Sequence, residues 1–185
     1  MALDELTELE KMFEKILKEN RNLNFLDEND MSPLMMAVES SAEKYVTQFL
    51  AKGADPNFQN SKGNTALFYI PKFRNALGGL ENMQYADINA FHNENIKNIL
   101  IRFVGYNYNY RIQNEEGNTA LHLYVKRPCP IENKMDLIDS LPYLTFTNNV
   151  NIENKNKETA LDIIAKYSNR VMLDVFMYVC NKKGI

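Results

Sequence analysis

The first apolar residues of the chain recur at steps of three and four, and charged residues stand between them. The charged positions are mostly glutamate and lysine, which suits the solvent side of a helix. This spacing predicts an amphipathic helix with one buried face. Its apolar residues are Leu3, Leu6, Leu9, Phe13, Ile16 and Leu17.

Further along, a hydroxyl residue, a small residue and a leucine occur together four times. Gly-Asn-Thr-Ala-Leu stands at residues 63–67 and again at 117–121, with weaker versions around Ser32 and Thr159. Successive hydroxyl residues are separated by 33, 54 and 40 positions, which fits a unit of 33 residues with insertions of 21 and 7. Ser and Thr favour helix N-caps. One supersecondary unit is therefore repeated, and stacked repeats usually bind rather than catalyse.

The first unit shows the motif most fully. Residues 27–37 read Asp-Glu-Asn-Asp-Met-Ser-Pro-Leu-Met-Met-Ala, and residues 53–57 read Gly-Ala-Asp-Pro-Asn. This resembles an ankyrin repeat, whose pattern is D-x-x-G-x-T-P-L-H-x-A, a second helix, and L-L-x-x-G-A-D-x-N. The resemblance covers most of the chain unevenly. It implies an all-α fold, an ankyrin-type helical solenoid of helix-turn-helix units with hairpin loops.

The resemblance also implies a layout for the whole chain. One ankyrin-repeat domain spans residues 1–185, and its first helix serves as the solvated second half of a repeat. The expected parts are an N-terminal half-repeat cap at 1–26, repeat 1 at 27–59, repeat 2 at 60–113 with an insertion at 72–95, repeat 3 at 114–153, and repeat 4 at 154–185.

Four departures from the family pattern matter. Asp30 and Lys157 replace the hairpin glycine that Gly63 and Gly117 retain, so we expect those two hairpins to differ slightly.

The insertion at 72–95 is too apolar for a disordered linker, and we expect it to fold against the stack as a short helix or an ordered loop. The second helix of repeat 2 then resumes near Ile96. Whether the insertion is a dedicated contact or a tolerated elaboration stays open.

The third departure is the tract 103–110, with tyrosines at 106, 108 and 110. Gly105 is expected to hold the turn, with about one extra residue in the spacing. A contact patch formed by the tyrosines and packing of the tyrosines against the insertion are both open interpretations.

The fourth departure is the C-terminal helix at 170–180, which is apolar nearly all round. Self-association through it, a partner docked on it, and further chain stacked on it are three open explanations.

Composition narrows the function. A net charge of −3 and a pI near 5.5 disfavour nucleic-acid binding. No apolar run approaches the ~18 residues that membrane insertion requires. Cys129 and Cys180 lack metal-ligand spacing, which fits a reducing compartment and a cytoplasmic location. His122 stands at the family's histidine position, which implies hydrogen bonds between adjacent loops, and His92 lies alone in the insertion. We therefore predict no catalytic residues, no metal and no cofactor.

The resemblance assigns binding to the concave face that hairpin tips and first helices form. The predicted partner is another protein, and the candidate residues change from acidic in repeat 1 to basic in repeat 4. They are Glu28, Asn29, Met31, Glu39, Ser61, Lys62, Glu115, Glu116, Arg127, Lys155, Asn156, Lys166 and Tyr167. The tip and first-helix positions Ser40, Asn64, Asn118, Lys126 and Glu158 are further candidates on the same face.

The chain has 25 asparagines together with many lysines and isoleucines, which indicates an AT-rich coding genome. Degenerate ankyrin-like chains of this size resemble products of intracellular bacteria or large DNA viruses, which implies a host-directed effector delivered into a host-cell cytoplasm. Two alternatives remain open. The chain is a scaffold or subunit domain of a larger protein or assembly, or it is an enzyme with its site in the 72–95 insertion.

Overall fold

The computed structural model describes residues 7–19, 22–70, 85–126, 134–145, 149–167 and 170–184, with the side chains of 85–93 and 134–137 left aside. Helices account for most of these ranges, and no strand occurs within them. The α-helices are α1 (Glu8–Glu19), α2 (Pro33–Glu39), α3 (Glu43–Ala51), α4 (Tyr85–Gly105), α5 (Ala120–Val125), α6 (Lys134–Leu144), α7 (Ala160–Lys166) and α8 (Arg170–Lys183), and 3-10 helices occupy Ala66–Tyr69 and Asn149–Asn151.

The helices lie in two layers. Helices α1, α3, α4, α6 and α8 pack side by side in chain order, each against the next. Helix α2, the 3-10 helix at Ala66–Tyr69, α5 and α7 form the second layer in the same way. Helices α2 and α3 also pack on each other, as do α7 and α8. The prediction of an all-α, ankyrin-type helical repeat fold is confirmed.

The core lies between the layers and begins at α1. Phe13 is fully buried, and its ring centroid lies 5.0 Å from that of Tyr45 and 5.5 Å from that of Phe49 on α3. Apolar burial of this kind is the main stabilising contribution to a helix stack. The opposite side of α1 exposes charged residues to solvent, as predicted for the N-terminal end: Glu8, Lys11, Lys15, Lys18 and Glu19.

The predicted helix caps form in part. Ser32 Oγ accepts a hydrogen bond from the Met35 N–H at 3.2 Å, and Thr159 Oγ1 accepts one from the Asp162 N–H at 3.3 Å. Thr65 instead makes a buried hydrogen bond of 2.7 Å with the Tyr108 hydroxyl. The capping role predicted for Thr65 is therefore wrong, because a tertiary partner occupies its hydroxyl.

Helix α4 begins at Tyr85, eleven residues before the expected resumption near Ile96. Residues 85–95 thus form the first half of α4, so this part of the predicted insertion is helical and continuous with the helix that follows. The remainder of the predicted insertion, residues 72–84, lies outside the described residues. Residues 85–95 add three turns of helix. Their apolar periodicity does not differ from that of the segment that follows, so the sequence pattern placed the start of the helix too late.

The turn after α4 is held by Asn107 and not by Gly105. Gly105 belongs to α4, whereas Asn107 has φ +56°. Asn107 lies 54 residues after Gly53, whose φ is +93°, and 54 is also the spacing of the hairpins, so no extra residue is present. Asparagine is one of the few residues other than glycine that adopt left-handed backbone readily. The predicted register of this loop was wrong by two residues.

The tyrosines of the same tract are mostly core residues. Tyr108 and Tyr110 are 5% and 3% exposed, and their rings pack edge to face with centroids 4.8 Å apart. Burial raises the pKa of both phenols. Tyr106 alone is partly exposed, at 39%. A contact patch of three tyrosines does not form.

Helix α8 is less exposed than its composition suggested. One face packs against α6 and α7 and buries Val175, Phe176 and Val179. Met177 and Tyr178 remain 43% and 51% exposed on the other side. The apolar character is therefore divided between a buried face and an exposed patch.

All four hairpins share one left-handed position. Its φ is +62° at Asp30, +73° at Gly63, +76° at Gly117 and +62° at Lys157. The expectation that the Asp30 and Lys157 hairpins differ is wrong, because tertiary packing imposes the same turn on every residue type. A lysine there carries a steric cost of about 1–2 kcal/mol that glycine avoids.

Lys157→Gly is therefore expected to raise the free energy of unfolding by about 0.5–1 kcal/mol, since glycine's added unfolded-state entropy offsets part of the relieved strain. Lys157→Ala is the control. It removes the exposed pair with Glu153 but keeps the left-handed strain, so stability should not rise. Urea denaturation measures the stability of both variants. Equal stability of the two would contradict the assignment of left-handed backbone strain to Lys157.

Candidate functional site

Each hairpin is held by one side chain that occupies the same place in every unit. The residues are Asp27, Asn60, Asn114 and Asn154, spaced by 33, 54 and 40 positions. In each hairpin the Oδ1 atom accepts the backbone N–H groups two and four residues later, over distances of 2.9–3.1 Å. The tip is thus closed by its own side chain and needs no water.

The same asparagines connect neighbouring hairpins. Asn114 Nδ2 donates to Asn64 Oδ1 at 2.9 Å, and Asn154 Nδ2 donates to Asn118 Oδ1 at 3.0 Å. Backbone bonds run alongside, from Glu115 N–H to the Lys62 carbonyl at 3.0 Å and from Lys155 N–H to the Glu116 carbonyl at 3.0 Å. We call this set of bonds the asparagine ladder, and it fixes the spacing of the tips.

The ladder requires close approach of the backbones. A Cβ atom on Gly117 would lie 2.7 Å from the Lys155 nitrogen, and one on Gly63 would lie 3.1 Å from Asn114 Cα. Contacts below 3.0 Å force the structure to move. At Gly117 glycine is therefore required for space as well as for its positive φ.

His122 joins the last two units from below the tips. It is fully buried, its Nδ1 accepts the Thr119 backbone N–H at 3.1 Å, and its Nε2 lies 3.2 Å from the Glu158 carbonyl. These bonds assign the neutral tautomer with hydrogen on Nε2, because Nδ1 receives a donor. Burial lowers the pKa of His122, against the smaller raising effect of the Glu158 carbonyl. The expected bond between adjacent loops is present.

Above His122 an open polar cleft of about 100 Å³ separates the third and fourth units. Helix α5 supplies one wall and helix α7 the other, while hairpin residues close the upper end. We call this the inter-repeat cleft. Its lining residues are Glu116, Asn118, His122, Leu123, Lys126, Asn154, Asn156, Glu158, Ile163, Lys166 and Tyr167.

Charged groups in the inter-repeat cleft are partly pre-ordered. Lys166 Nζ lies 2.6 Å from Glu158 Oε1, and this pairing lowers the pKa of Glu158 and raises that of Lys166. Lys126 Nζ lies 5.8 Å from the ring centroid of Tyr167, a ring that is 51% exposed. The cleft therefore presents a half-exposed aromatic ring with one ammonium group over it, and a second ammonium group that is paired with a carboxylate.

Seven candidates from the sequence line this cleft: Glu116, Asn118, Lys126, Asn156, Glu158, Lys166 and Tyr167. Others lie at exposed tips or helix ends without sharing a cleft with them, namely Glu28, Asn29, Glu39, Ser61, Lys62, Glu115 and Lys155. Met31 does not belong to this surface. It is 8% exposed, because its apolar side chain packs into the core, and the expectation of an exposed tip residue is wrong. Arg127 lies outside the described residues.

Sequence reasoning missed the asparagine ladder. Its signal was present, since Asp27, Asn60, Asn114 and Asn154 keep the spacing of the capping hydroxyls. An abundance of asparagine elsewhere in the chain concealed it. The family pattern has aspartate at this place, and asparagine adds the Nδ2 donor that reaches the preceding hairpin.

Other chemistry is limited in the part of the chain that the structure describes. No group of three or more His, Cys, Asp or Glu side chains there is placed to hold a metal ion. None of the described helices combines the length and apolarity needed to cross a membrane. Cys180 is a buried free thiol whose pKa is raised by burial. Cys129 and the His92 side chain lie outside the described set.

Comparison with known families agrees with this geometry. The family model for the ankyrin repeat matches residues 29–61, from the tip of the first hairpin to the tip of the second. This segment is similar to an ankyrin repeat. The matched segment contains α2, α3 and the turn at Gly53, and so spans one period of the stack. No curated protein matches the chain.

Asn154→Ala is expected to lower the free energy of unfolding by about 2–3 kcal/mol, because it removes two intra-hairpin acceptors and one ladder donor at a buried site. In a Glu158→Gln background, which removes the carboxylate 3.3 Å from Asn154 Nδ2, Asn154→Asp keeps both acceptor bonds, as Asp27 does in the first hairpin, and should cost clearly less than Asn154→Ala. Urea denaturation of the two variants provides the measurement. Equal losses would mean that the Oδ1 bonds contribute nothing.

Stability should also depend on pH through His122. Because its pKa in the folded state is below the ordinary 6.5, its contribution is complete above pH 6.5 and is lost as pH falls. Linkage of one proton limits this loss to about 1.4 kcal/mol per pH unit. His122→Gln should flatten the dependence between about pH 7 and pH 5.5. Parallel curves for wild type and variant, from denaturation at each pH, would contradict this account.

Proposed function

We propose that the chain is a protein–protein interaction module without catalytic activity of its own. It binds its partner through the hairpin tips and the exposed side of the α2, α5 and α7 layer, and the inter-repeat cleft is the centre of this surface. An ankyrin repeat favours an interaction role, and the observation that carries the proposal is the convergence of Glu116, Lys126, Lys166 and Tyr167 on that one cleft.

The physical support is pre-organisation. The tips are spaced by the asparagine ladder, so the side chains on them lose little backbone freedom when a partner binds. Tyrosine supplies a large contact area with only two rotatable angles, and it is enriched where interfaces are strongest. Tyr167 is the exposed aromatic residue of the cleft, and it is 51% exposed.

The proposed domain layout keeps the repeat divisions expected from the sequence: the half-repeat at 1–26, and repeats at 27–59, 60–113, 114–153 and 154–185. The ladder residues recur at the start of each repeat, which supports these divisions. We further infer that the molecule acts in a cytoplasm, its own or that of a host cell into which it is delivered as an effector. The AT-rich composition supports the effector role.

The partner surface can be tested by affinity capture with two matched double variants. Lys126→Glu with Tyr167→Ala alters the inter-repeat cleft, whereas Arg111→Glu with Tyr106→Ala makes the same exchanges at exposed residues of the loop after α4. We expect proteins captured by the wild type to fall about tenfold or more with the cleft variant, since central anchors carry most binding energy. The loop variant should capture them normally.

Quantitative mass spectrometry of the captured fractions provides the measurement, and circular dichroism shows that each variant is folded. Two results would overturn the proposal. One is capture of the same proteins in equal amounts by all three chains. The other is absence of any protein enriched over a resin that carries no chain.

A further inference from the structure

The C-terminal end of the stack exposes apolar residues at positions that inner units bury. Leu161 and Met177 each stand 127 residues after Leu34 and Leu50, the same interval that separates Ser32 from Thr159. Leu34 and Leu50 are 2% exposed, whereas Leu161 is 39% and Met177 43% exposed. The same repeat positions therefore differ only in what covers them.

The intermediate units show the same burial. At the Leu34 position, Leu67 and Leu121 are 2% and 0% exposed. At the Leu50 position Val104 is partly buried and Leu144 is 0% exposed. In these units the next repeat provides the cover. The end of the fourth unit is thus a stacking surface, which we call the C-terminal face. It comprises Leu161, Arg170, Leu173, Asp174, Met177 and Tyr178.

Head-to-tail stacking of two chains does not suit this face. The described part of α1, at the opposite end, exposes Glu8, Lys11, Lys15 and Lys18. Apolar residues placed against these groups would remove their charges from water without compensation. An arrangement that joins like ends, with two-fold symmetry, avoids this cost and closes on itself.

Charge placement on α8 favours such a two-fold arrangement. Arg170 and Asp174 are both exposed and stand four residues apart, on one side of the helix and one turn from each other. Neither makes an ion pair with another described residue. When two copies of α8 lie antiparallel, the order of the charges is reversed in the second copy. Each Arg170 then faces an Asp174 of the other chain, Leu173 lies beside Val171 of the other chain near the symmetry axis, and Met177 lies just beyond the first turn of the other α8.

We propose that the chain self-associates as a two-fold symmetric dimer through the C-terminal face, with reciprocal Arg170–Asp174 ion pairs beside an apolar contact. The face has six residues, fewer than the roughly 20–30 on each side of a standard interface, so the dimer is weak, with a dissociation constant in the micromolar range. This face shares no residue with the inter-repeat cleft, and the proposal does not rest on the proposed binding function.

Sedimentation velocity over a concentration series tests the proposal on the full chain. The wild type should pass from monomer to dimer as its concentration rises to about 100 μM. Arg170→Glu and Asp174→Lys each turn two attractions into repulsions and should weaken dimerisation about tenfold. Arg111→Glu, on an exposed loop remote from this face, is the matched charge-reversal control and should dimerise normally.

An equimolar mixture of the Arg170→Glu and Asp174→Lys chains is the decisive sample. In a mixed dimer Glu faces Lys at one pair and Asp174 faces Arg170 at the other, so association should return to the wild-type level. Circular dichroism and thermal melting verify that the exposed substitutions leave each chain folded. A wild type that remains monomeric would overturn the proposal and leave the face to a different partner, and so would a mixture no stronger than its components.

Discussion

Close stacking of four hairpins is the constraint on which the rest of this structure depends. Neighbouring tips lie near enough for backbone N–H groups of one to donate to carbonyls of the tip before it, as Glu115 does to Lys62. The sides of the tips that face each other are shielded from water, with Asn118 and Asn154 8% and 7% exposed, so each hairpin must satisfy its own polar groups there. One Asx side chain in each unit does so, and left-handed backbone turns the chain within the available space.

This constraint explains why such different residues share one conformation. Asp30 and Lys157 adopt the same positive φ as Gly63 and Gly117, although only glycine does so without steric cost. Asp30 gains a compensating interaction, since its carboxylate accepts the backbone N–H and hydroxyl of Ser61 at 3.1 and 2.6 Å. These hydrogen bonds also lower the pKa of Asp30. For Lys157 no later hairpin lies among the described residues to provide such a contact.

A rigid row of tips has functional consequences. The inter-repeat cleft is formed by residues from two units, and its geometry is as fixed as the ladder that joins them. His122 contributes from beneath, as a neutral buried side chain that connects Thr119 to the Glu158 carbonyl. Stability and the shape of the proposed binding surface therefore depend on the same bonds. The apolar C-terminal face follows from the same repetition, because stacking positions persist where no further unit covers them.

The sequence by itself determined the repeat period, the helical class and the tips as the exposed edge, because each follows from local patterns of capping, periodicity and turn residues. Only the tertiary structure decided how those patterns were used. Thr65 bonds Tyr108 and does not cap a helix, Asn107 takes the turn expected at Gly105, and Met31 is buried. Each of these outcomes depends on a neighbour more than thirty residues away or on packing between units, and neither leaves a mark in a local pattern.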